Sequence, residues 1–446
     1  MKYVFPKDLY ADVRIEHVFS SSIRYTMRNL QGCREQKHSA AFIRVYDGNM
    51  WYFASTSDLD GIQGEIDTLA ALAQKNPHIE ETAVYKNLNA HKDVVMKFVG
   101  REVSKVPLDN KIALLQGAMP FVESNNYTKL WRLSYLDNYT IKEFYNSKGS
   151  ELKFDYQTAG FIASFDMMKE ENKMEGYFSI AGVTFPELAA YEAGLKEEIA
   201  ECEKFLLESV PVNPGKYPVI FAPKVTGVFV HECFGHKSES DFMMGDETTR
   251  KEWEIGKQVG SEELTIAETG NIMGNGYVPY DDEGNKATMT YLIKDGVLAG
   301  RLHHAESAAD LDENVTGNGR AMSFEYEPIV RMTTTYIDKG SKTFDELIAE
   351  TEEGILVTGL NHGSGMSTFT IAPSYSYYIK NGKIDKPVRV SVVTGNVFEA
   401  LGDIDGISDT VEMFSFVGGG CGKMEQHPLP VGFGGPYIRV KNMNVQ

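Results

Sequence analysis

Cysteine and long apolar runs are both scarce in this sequence. Four cysteines are spread across 446 residues, at Cys33, Cys202, Cys233 and Cys421. Disulfide-stabilised secreted scaffolds are much richer in cysteine, so we interpret these four as thiols or metal ligands in a reducing compartment. No window reaches the roughly 18–20 apolar residues of a membrane-spanning helix, and the N-terminal MKYVFPKDLYADVRIE lacks the apolar stretch of a signal peptide. We therefore expect a cytoplasmic protein with no membrane partner.

Positive charge is also in short supply. The chain has 44 Lys and Arg residues against 63 Asp and Glu residues, which gives a formal net charge of −19. Such a charge repels the phosphates of nucleic acids and of anionic membrane surfaces. The composition therefore argues against a nucleic-acid partner.

Length and composition indicate several ordinary globular domains. The chain is too long for one hydrophobic core, and its 42% hydrophobic and 24% charged residues are typical of soluble proteins. The segment VPVNPGKYP is rich in proline and is the clearest linker, so we place a domain boundary near residue 211. The predicted fold class is α+β, with an N-terminal α+β domain (1–95), a middle α+β region ending in a long helix (96–210) and a β-rich C-terminal domain (211–446).

Local patterns predict the main elements. Asp-Gly or Asn-Gly turns between β-rich runs indicate hairpins at residues 47–48, 295–296 and 381–382. Apolar residues at helical spacing predict one helix after the first hairpin and another over FPELAAYEAGLKEEIAECEKFLLES. Cys202 falls on the apolar stripe of the second helix, so we interpret it as a small core residue. The run PVIFAP is typical of a buried strand, and a further helix is predicted to start after it.

The stretch VFVHECFGHKSESDF contains the most informative pattern in the chain. His231, Glu232 and His236 form an H-E-x-x-x-H motif, one residue longer than the zinc-protease signature H-E-x-x-H. On a regular helix five residues turn through about 500°, so the two imidazoles would point about 140° apart and could not share an ion. A break in the helix would change this, and a π-bulge, with about 4.4 residues per turn, would return them to one face. Gly235 would tolerate such a distortion.

Two interpretations of this stretch stay open on the residues alone. The histidines are either two separate side chains on an ordinary helix or a metal-binding pair on a distorted one. Glu239 and Asp241 follow closely, and their carboxylates either orient the imidazoles or belong to a solvated face.

A glycine-rich run near the C-terminus contains a candidate third ligand. Three glycines, the last of them Gly420, lead into Cys421. Glycines let a backbone approach another chain or a ligand closely. A thiolate at Cys421 would complete a set of two histidines and one cysteine, leaving the fourth position of zinc open for water. The alternative is a glycine-rich loop with an inert cysteine.

Taken together, these segments resemble the TldD/PmbA family of metalloproteases, also labelled modulators of DNA gyrase. APKVTGVFVHECFGHKSESDF resembles the family's metal helix, and YVPYDDEGNKATMTYLIKDGVLAGRLHHAESA resembles its Asp-Asp-Glu-Gly segment. GGGCGK, with the following PLPVGFGGPYIRV, resembles its closing motif. In order and spacing the resemblance covers nearly all of residues 211–446, and the N-terminal hairpin and helix also fit.

The resemblance implies a catalytic member of the family. It implies Zn2+ held by His231, His236 and Cys421, with Glu232 as general base, in a cleft between an N-terminal α+β domain and a β-rich C-terminal domain. It also implies a dimer, either of two copies or with a family paralogue. Cys233 departs from the family pattern, in which a small apolar residue such as alanine is more usual.

Three further polar groups were considered as site residues. The acidic run at 281–283 could bind a cation, but we interpret DDEGN as an acidic turn between strands. The histidine pair at 303–304 is expected to include one structural histidine. Arg320 is a candidate for contact with a substrate carbonyl or carboxylate, or with a carboxylate of the protein itself.

We therefore hypothesise a zinc-dependent peptidase that cleaves unfolded or flexible peptides through a metal-activated water. The alternative is a non-catalytic subunit that binds peptides or a partner chain, with a structural metal or none. A third hypothesis, modulation of DNA topology, rests on the family label and is opposed by the net charge of −19.

Overall fold

The computed structural model describes residues 2–365 and 367–446. Strands account for 43% of the chain and helices for 24%, so strands dominate a fold that contains both. The predicted α+β class with a β-rich C-terminal part is confirmed. Within the described ranges, no helix is long and apolar enough to cross a membrane.

The first half of the chain forms one large sheet with helices packed on it. Its strands are β1 (Tyr10–Thr26), β2 (Asn29–Tyr46), β3 (Trp51–Thr56), β4 (Lys92–Val95), β5 (Thr128–Asn146), β6 (Glu151–Lys169) and β7 (Asn172–Gly182). Its helices are α1 (Ile62–Leu72), α2 (Ala83–Asn87), α3 (Leu108–Glu123) and α4 (Tyr191–Glu208). The order across the sheet is β3-β2-β1-β5-β6, and β4 and β7 share the outer edge of β6.

Burial explains why the predicted elements of this half form. Ile62, Ile66 and Leu69 lie on one face of α1 and are buried in a core with side chains of β1 and β2. The first hairpin is confirmed, because β2 pairs with β3 across the predicted turn at residues 47–48. Cys202 is buried within α4 in the larger core of the sheet, which confirms its interpretation as a core residue.

The second half is built from many shorter strands. They are β8 (Val210–Pro211), β9 (Gly215–Phe221), β10 (Ile266–Glu268), β11 (Thr290–Lys294), β12 (Val297–Leu298), β13 (Gly319–Arg320), β14 (Ile329–Val330), β15 (Thr334–Ile337), β16 (Glu353–Gly365), β17 (Thr368–Lys380), β18 (Lys383–Arg389), β19 (Val393–Asn396), β20 (Ile404–Ile407), β21 (Glu412–Ser415), β22 (Cys421–Lys423), β23 (Gln426–Leu429), β24 (Gly432–Gly435) and β25 (Ile438–Val445). The helices are α5 (Pro223–Val230), α6 (Glu247–Glu252), α7 (Ala305–Leu311), α8 (Phe344–Ala349) and α9 (Val397–Gly402).

A closed barrel organises this half. β16 pairs with β9 on one side and with β17 on the other, and the ring continues through β19 and β25 back to β9. A six-stranded sheet of order β12-β11-β10-β15-β24-β21 lies beside the barrel, and α5 packs between that sheet and β16. The two predicted hairpins of this half are confirmed as β11–β12 and β17–β18. Helix α5, which leads into the histidine motif, is therefore covered by strands on both sides.

Strands from both predicted N-terminal units share one sheet. β5, which belongs to the predicted middle region, pairs along its length with β1 of the predicted first domain. The division into three units at residues 95 and 210 stays a prediction.

The two halves of the chain meet in a buried layer of charges. Asp282 lies 2.5 Å from Lys142 Nζ and 3.7 Å from Arg14 Nε, and both cations belong to the first sheet. Glu283 pairs with Arg44 of the same sheet at 3.2 Å. All five side chains are almost fully buried. The carboxylates of this acidic turn therefore neutralise cations of the protein itself, which agrees with its interpretation as a turn.

We predict that Asp282→Ala strongly destabilises the protein. Glu16 lies 3.1 Å from Arg14 Nε and 3.3 Å from Lys142 Nζ, so the substitution would leave two buried cations to share this single carboxylate. Removing one partner of a buried ion-pair group typically costs about 3–5 kcal/mol. Urea denaturation measures the free energy of unfolding. Glu325→Ala, which removes an exposed carboxylate, is the control and should change it by less than about 0.5 kcal/mol. Equal losses in the two variants would contradict the prediction.

Candidate metal centre

The histidine pair lies on a helix that changes its winding. Regular helix ends at Val230, residues His231–Gly235 form a π-helical turn, and a short 3-10 turn follows over His236–Ser238. The wider turn places the rings of His231 and His236 on one face, with their centroids 5.2 Å apart. A shared metal required such a distortion, and the predicted π-helical geometry is confirmed.

Gly235 supports this turn for a different reason from the one we expected. Its backbone angles, φ −55° and ψ −52°, are ordinary for a right-handed helix, so the freedom of glycine is not needed. A Cβ at this position would instead lie 2.1 Å from the sulfur of Met332. The expectation is therefore corrected: glycine is required for space, because the turn packs directly against Met332.

Cys421 lies near the end of the C-terminal half, and its strand places it beside His231 and His236. It begins β22, which pairs with β23 so that Cys421 stands opposite Leu429. The buried Arg331 guanidinium donates to the carbonyl oxygen of Cys421 at 2.8 Å and to that of Gln426 at 3.1 Å. A Cβ on Gly420 would lie 2.3 Å from the carbonyl oxygen of Leu429, so this close approach requires glycine.

Three candidate ligand atoms meet at this point. One nitrogen each of His231 and His236 and the Sγ of Cys421 lie within 4.8 Å of one another. Cys421 Sγ lies 3.4 Å from His236 Nε2. Residues 2–365 and 367–446 contain no second group of three His, Cys, Asp or Glu side chains with this spacing. The structure thus brings together the three side chains that the sequence proposed as ligands.

The charges of these side chains are coupled. Burial raises the pKa of the Cys421 thiol, but the neighbouring imidazoles of His231 and His236 outweigh it and lower that pKa to about 5. Burial lowers the pKa of His236, but the Cys421 sulfur and the Glu239 carboxylate outweigh it and raise that pKa to about 10. Without a metal, Cys421 is therefore a thiolate near neutral pH and His236 is its counter-ion.

The surroundings of His231 indicate whether His231, His236 and Cys421 suit a metal ion. The His231 ring is fully buried and near enough to stabilise the thiolate, yet neither of its nitrogens forms a well-directed hydrogen bond within the described residues. Leaving such a buried polar group unpaired costs about 1–3 kcal/mol. Coordination to an ion would satisfy one of its nitrogens, and a thiolate with two imidazoles is a donor set that suits zinc. The residues therefore fit a zinc ion.

A buried lysine joins the histidine helix to the cysteine strand. His236 Nδ1 donates to Glu239 at 3.0 Å, which orients the ring with Nε2 towards Cys421. Lys423 Nζ lies 3.4 Å from Glu239 and 2.6 Å from Asp241. Asp241 thus holds Lys423 and not an imidazole. Lys423 was missed in the sequence, although its place two residues after Cys421 on a strand puts both side chains on one face.

Cys233 and Arg320 lie outside the ligand group. Cys233 is buried in the apolar core of the C-terminal half, and burial raises the pKa of its thiol. The Arg320 guanidinium donates to the backbone carbonyl oxygens of Met332 and Pro430. These hydrogen bonds hold backbone segments together, and contact of Arg320 with a substrate stays a prediction.

Both histidines of the 303–304 pair have structural partners. The ring of His303 contacts Ser240 at 2.9 Å and Glu313 at 2.8 Å. The ring of His304 accepts from the Ser307 amide at 3.2 Å and caps helix α7. The expectation of a structural histidine is confirmed for both.

Glu232 faces a cleft beside the ligand group. It lines a cavity of about 470 Å³ together with Phe416 and Gly420, which belong to the segment that precedes Cys421 in the chain. The side chain is half-buried, and in the part of the chain that the structure describes its carboxylate makes no hydrogen bond or ion pair. This carboxylate is therefore available to a molecule that enters the cleft.

Comparison with known proteins agrees with the fold and identifies a metallopeptidase family. Residues 214–446 match the family model of the PmbA/TldA metallopeptidase C-terminal domain, and residues 11–75 match that of the PmbA/TldA metallopeptidase domain 1. A metalloprotease of Methanothermobacter thermautotrophicus is 30% identical, over 98% of this chain and 95% of its own. A zinc metalloprotease TldD homolog of Saccharolobus solfataricus is 26% identical, over 98% of this chain and 96% of its own.

The fold also matches a solved structure. TldE from Thermococcus kodakarensis superposes with a TM-score of 0.78 at 15% identity, over 98% of this chain and 96% of that one. The matched domains and relatives define a protein of the metallopeptidase class. The chain belongs to the PmbA/TldD family, so the family inferred from its motifs is confirmed.

We predict that Cys421→Ala loses bound zinc and that Cys233→Ala retains it. Removing the thiolate leaves two imidazoles, which hold zinc poorly against a competing chelator, whereas Cys233 lies outside the ligand group. Cys421→Ser should lose nearly as much, because a hydroxyl is a poor anion at neutral pH. Zinc stoichiometry after dialysis against a mild chelator separates the variants. Zinc retained without Cys421, or lost without Cys233, would show that the wrong sulfur was chosen.

Proposed function

We propose that the protein is a zinc-dependent peptidase that cleaves unfolded or flexible peptides. The observation that carries the proposal is the position of Glu232, an unpaired carboxylate in a cleft beside His231, His236 and Cys421. Membership of a metallopeptidase family supports peptide-bond hydrolysis in general. The choice of zinc and the class of substrate are our own inference.

The protein's own groups have distinct tasks in this proposal. His231, His236 and Cys421 would hold the ion and leave its fourth position open. When bound, zinc polarises a carbonyl group and lowers the pKa of a water molecule. Glu232 would accept the proton of the attacking water and deliver it to the leaving amine. Glu239 accepts from His236 Nδ1 and so holds the tautomer whose Nε2 is free for an ion.

The anionic ligand should limit the rate. A thiolate donates more negative charge to the ion than a neutral imidazole does, which makes the ion a weaker Lewis acid. We therefore expect modest peptidase activity.

Two strand edges favour extended peptides as substrates. β7 pairs with β6 along one side, β21 pairs with β24 along one side, and in the described residues neither strand has a neighbour on its other side. Tyr177 of β7 and Ser415 of β21 line the same cavity as Glu232. An extended peptide can add to such an edge by backbone hydrogen bonds. A folded domain exposes few extended segments with an unpaired backbone, so it should be a poor substrate.

We predict that Glu232→Gln abolishes hydrolysis and leaves the zinc content unchanged. Glutamine keeps the shape of the side chain but cannot accept the proton, and loss of a general base typically lowers the rate by about 10²–10⁴. Peptide cleavage and metal content are measured on the same preparation, with Glu325→Gln as a surface control. Cleavage at the parent rate would show that Glu232 is not the base. A zinc-loaded parent without any activity would favour the non-catalytic alternative.

We predict that unfolding a substrate greatly accelerates its cleavage. A stable folded protein and its irreversibly denatured form are digested side by side, and the fragments are counted by mass spectrometry. The denatured form should be cleaved at many sites with loose side-chain preference, because backbone contacts dominate in strand addition. Equal cleavage of the two forms would rule this substrate class out.

A further inference from the structure

Lys224 stands at the wall of the catalytic cleft. It lies on α5 eight residues before Glu232, with Val228 midway between them. All three side chains line the cavity of about 470 Å³ described above. Lys224 also lines an adjoining cavity of about 660 Å³, so its side chain stands where the two cavities meet.

The ammonium group of Lys224 is not neutralised by a contact. It is half-buried, and it makes no hydrogen bond or ion pair within residues 2–365 and 367–446. Glu198 stabilises its charge from a distance, but burial outweighs this and lowers the pKa of Lys224. The Glu198 carboxylate already accepts from the Tyr177 amide at 3.1 Å and from the Tyr375 hydroxyl at 2.6 Å. Lys224 is therefore a partly desolvated cation that lacks a contacting anion.

Two other acids of the same cleft have a cationic partner, in contrast to Glu232. Asp166 and Glu175 line the cavity, and Lys173 lies 3.6 Å from Asp166 and 2.7 Å from Glu175. Arg132 also lines the cavity but is exposed, where water screens its charge. An anionic group that entered the cleft could therefore pair with the Lys224 ammonium, which has no other contacting anion.

We propose that Lys224 binds a carboxylate of the peptide substrate, a specificity that rests on the proposed peptidase function and extends it. Eight helical residues span roughly 12 Å, and an extended peptide covers that distance with about three or four residues. Lys224 thus selects peptides with a carboxylate about that far from the bond that is cut. The group is either the C-terminal α-carboxylate or the side chain of an aspartate or glutamate.

Peptide binding tests this subsite without cleavage. The full-length, zinc-loaded protein carrying Glu232→Gln is titrated with one fluorescein-labelled flexible peptide of alanine, serine and tyrosine. The peptide is used in three forms: with a free C-terminal carboxylate, as the C-terminal amide, and as the amide with one glutamate scanned along it. Fluorescence anisotropy gives the dissociation constants. The titrations are repeated with Lys224→Met, Lys224→Arg or Lys251→Met introduced into the Glu232→Gln protein. Lys251 is exposed on α6 and lines neither cavity.

We expect a carboxylate-bearing form to bind about tenfold more tightly than the plain amide, as a charged hydrogen bond would provide. Lys224→Met should reduce this preference to less than about twofold, because it removes that bond and keeps the length of the side chain. Lys224→Arg should keep the preference, and Lys251→Met should leave it unchanged. If only the form with the free C-terminus binds tightly, the ligand of Lys224 is the α-carboxylate. If a glutamate form binds tightly, the ligand is a side-chain carboxylate.

Three results would overturn the proposal. One is a Lys224→Met protein that keeps its zinc and the full preference of the parent. The second is a parent that binds all forms equally or binds none. The third is an equal loss of affinity for the amide and the carboxylate forms, which would mean a structural role for Lys224.

Hydrolysis by the protein with Glu232 intact separates this proposal from the function on which it rests. A carboxylate preference that depends on Lys224, without any cleavage, would support the subsite and contradict the peptidase. Cleavage that ignores carboxylates would support the peptidase and overturn the subsite.

Discussion

The site depends on one π-helical turn, His231–Gly235, which places one residue more between the two imidazoles than a regular turn of the H-E-x-x-H type. Such turns are rare, so packing must hold this one in place. Phe234 and Met332 are fully buried around it, and Gly235 leaves room for the Met332 sulfur where a side chain would collide. Relaxation to regular helix would separate the imidazoles by about 140° and dismantle the ligand group.

A series of side chains of alternating charge holds Cys421 beside the two histidines. Cys421 is 185 residues from His236 in the chain, so its strand must be held by contacts outside the helix. Arg331 holds the backbone of Cys421, and Lys423 reaches back to Glu239 behind His236. Burial would raise the pKa of Glu239, but Lys423 and His236 lower it. Without a metal, thiolate, imidazolium, carboxylate and ammonium thus follow one another, and none is left as an isolated buried charge, which would be costly.

What could be predicted from the sequence was mainly local. Asp-Gly and Asn-Gly turns located the hairpins because these turns need residues that tolerate positive φ. The spacing of the two histidines required a π-helical turn or a break in the helix if they shared an ion. The barrel closed by β16, the contact of Gly235 with Met332 and the role of Lys423 could not be predicted, because each depends on a partner distant in sequence. The hydrogen bonds of Arg320 could not be predicted for the same reason, since a sequence does not show which carbonyl oxygens an arginine reaches.

The central claim is that two imidazoles and one thiolate hold a single zinc ion beside Glu232. X-ray absorption at the zinc edge of the loaded protein tests it most directly, because it counts the atoms bound to the metal. We predict one sulfur at about 2.3 Å and nitrogen or oxygen neighbours at about 2.0–2.1 Å, with four ligands in all. A coordination shell without sulfur, or one with two sulfurs, which would bring Cys233 to the metal, would contradict the structure of the site.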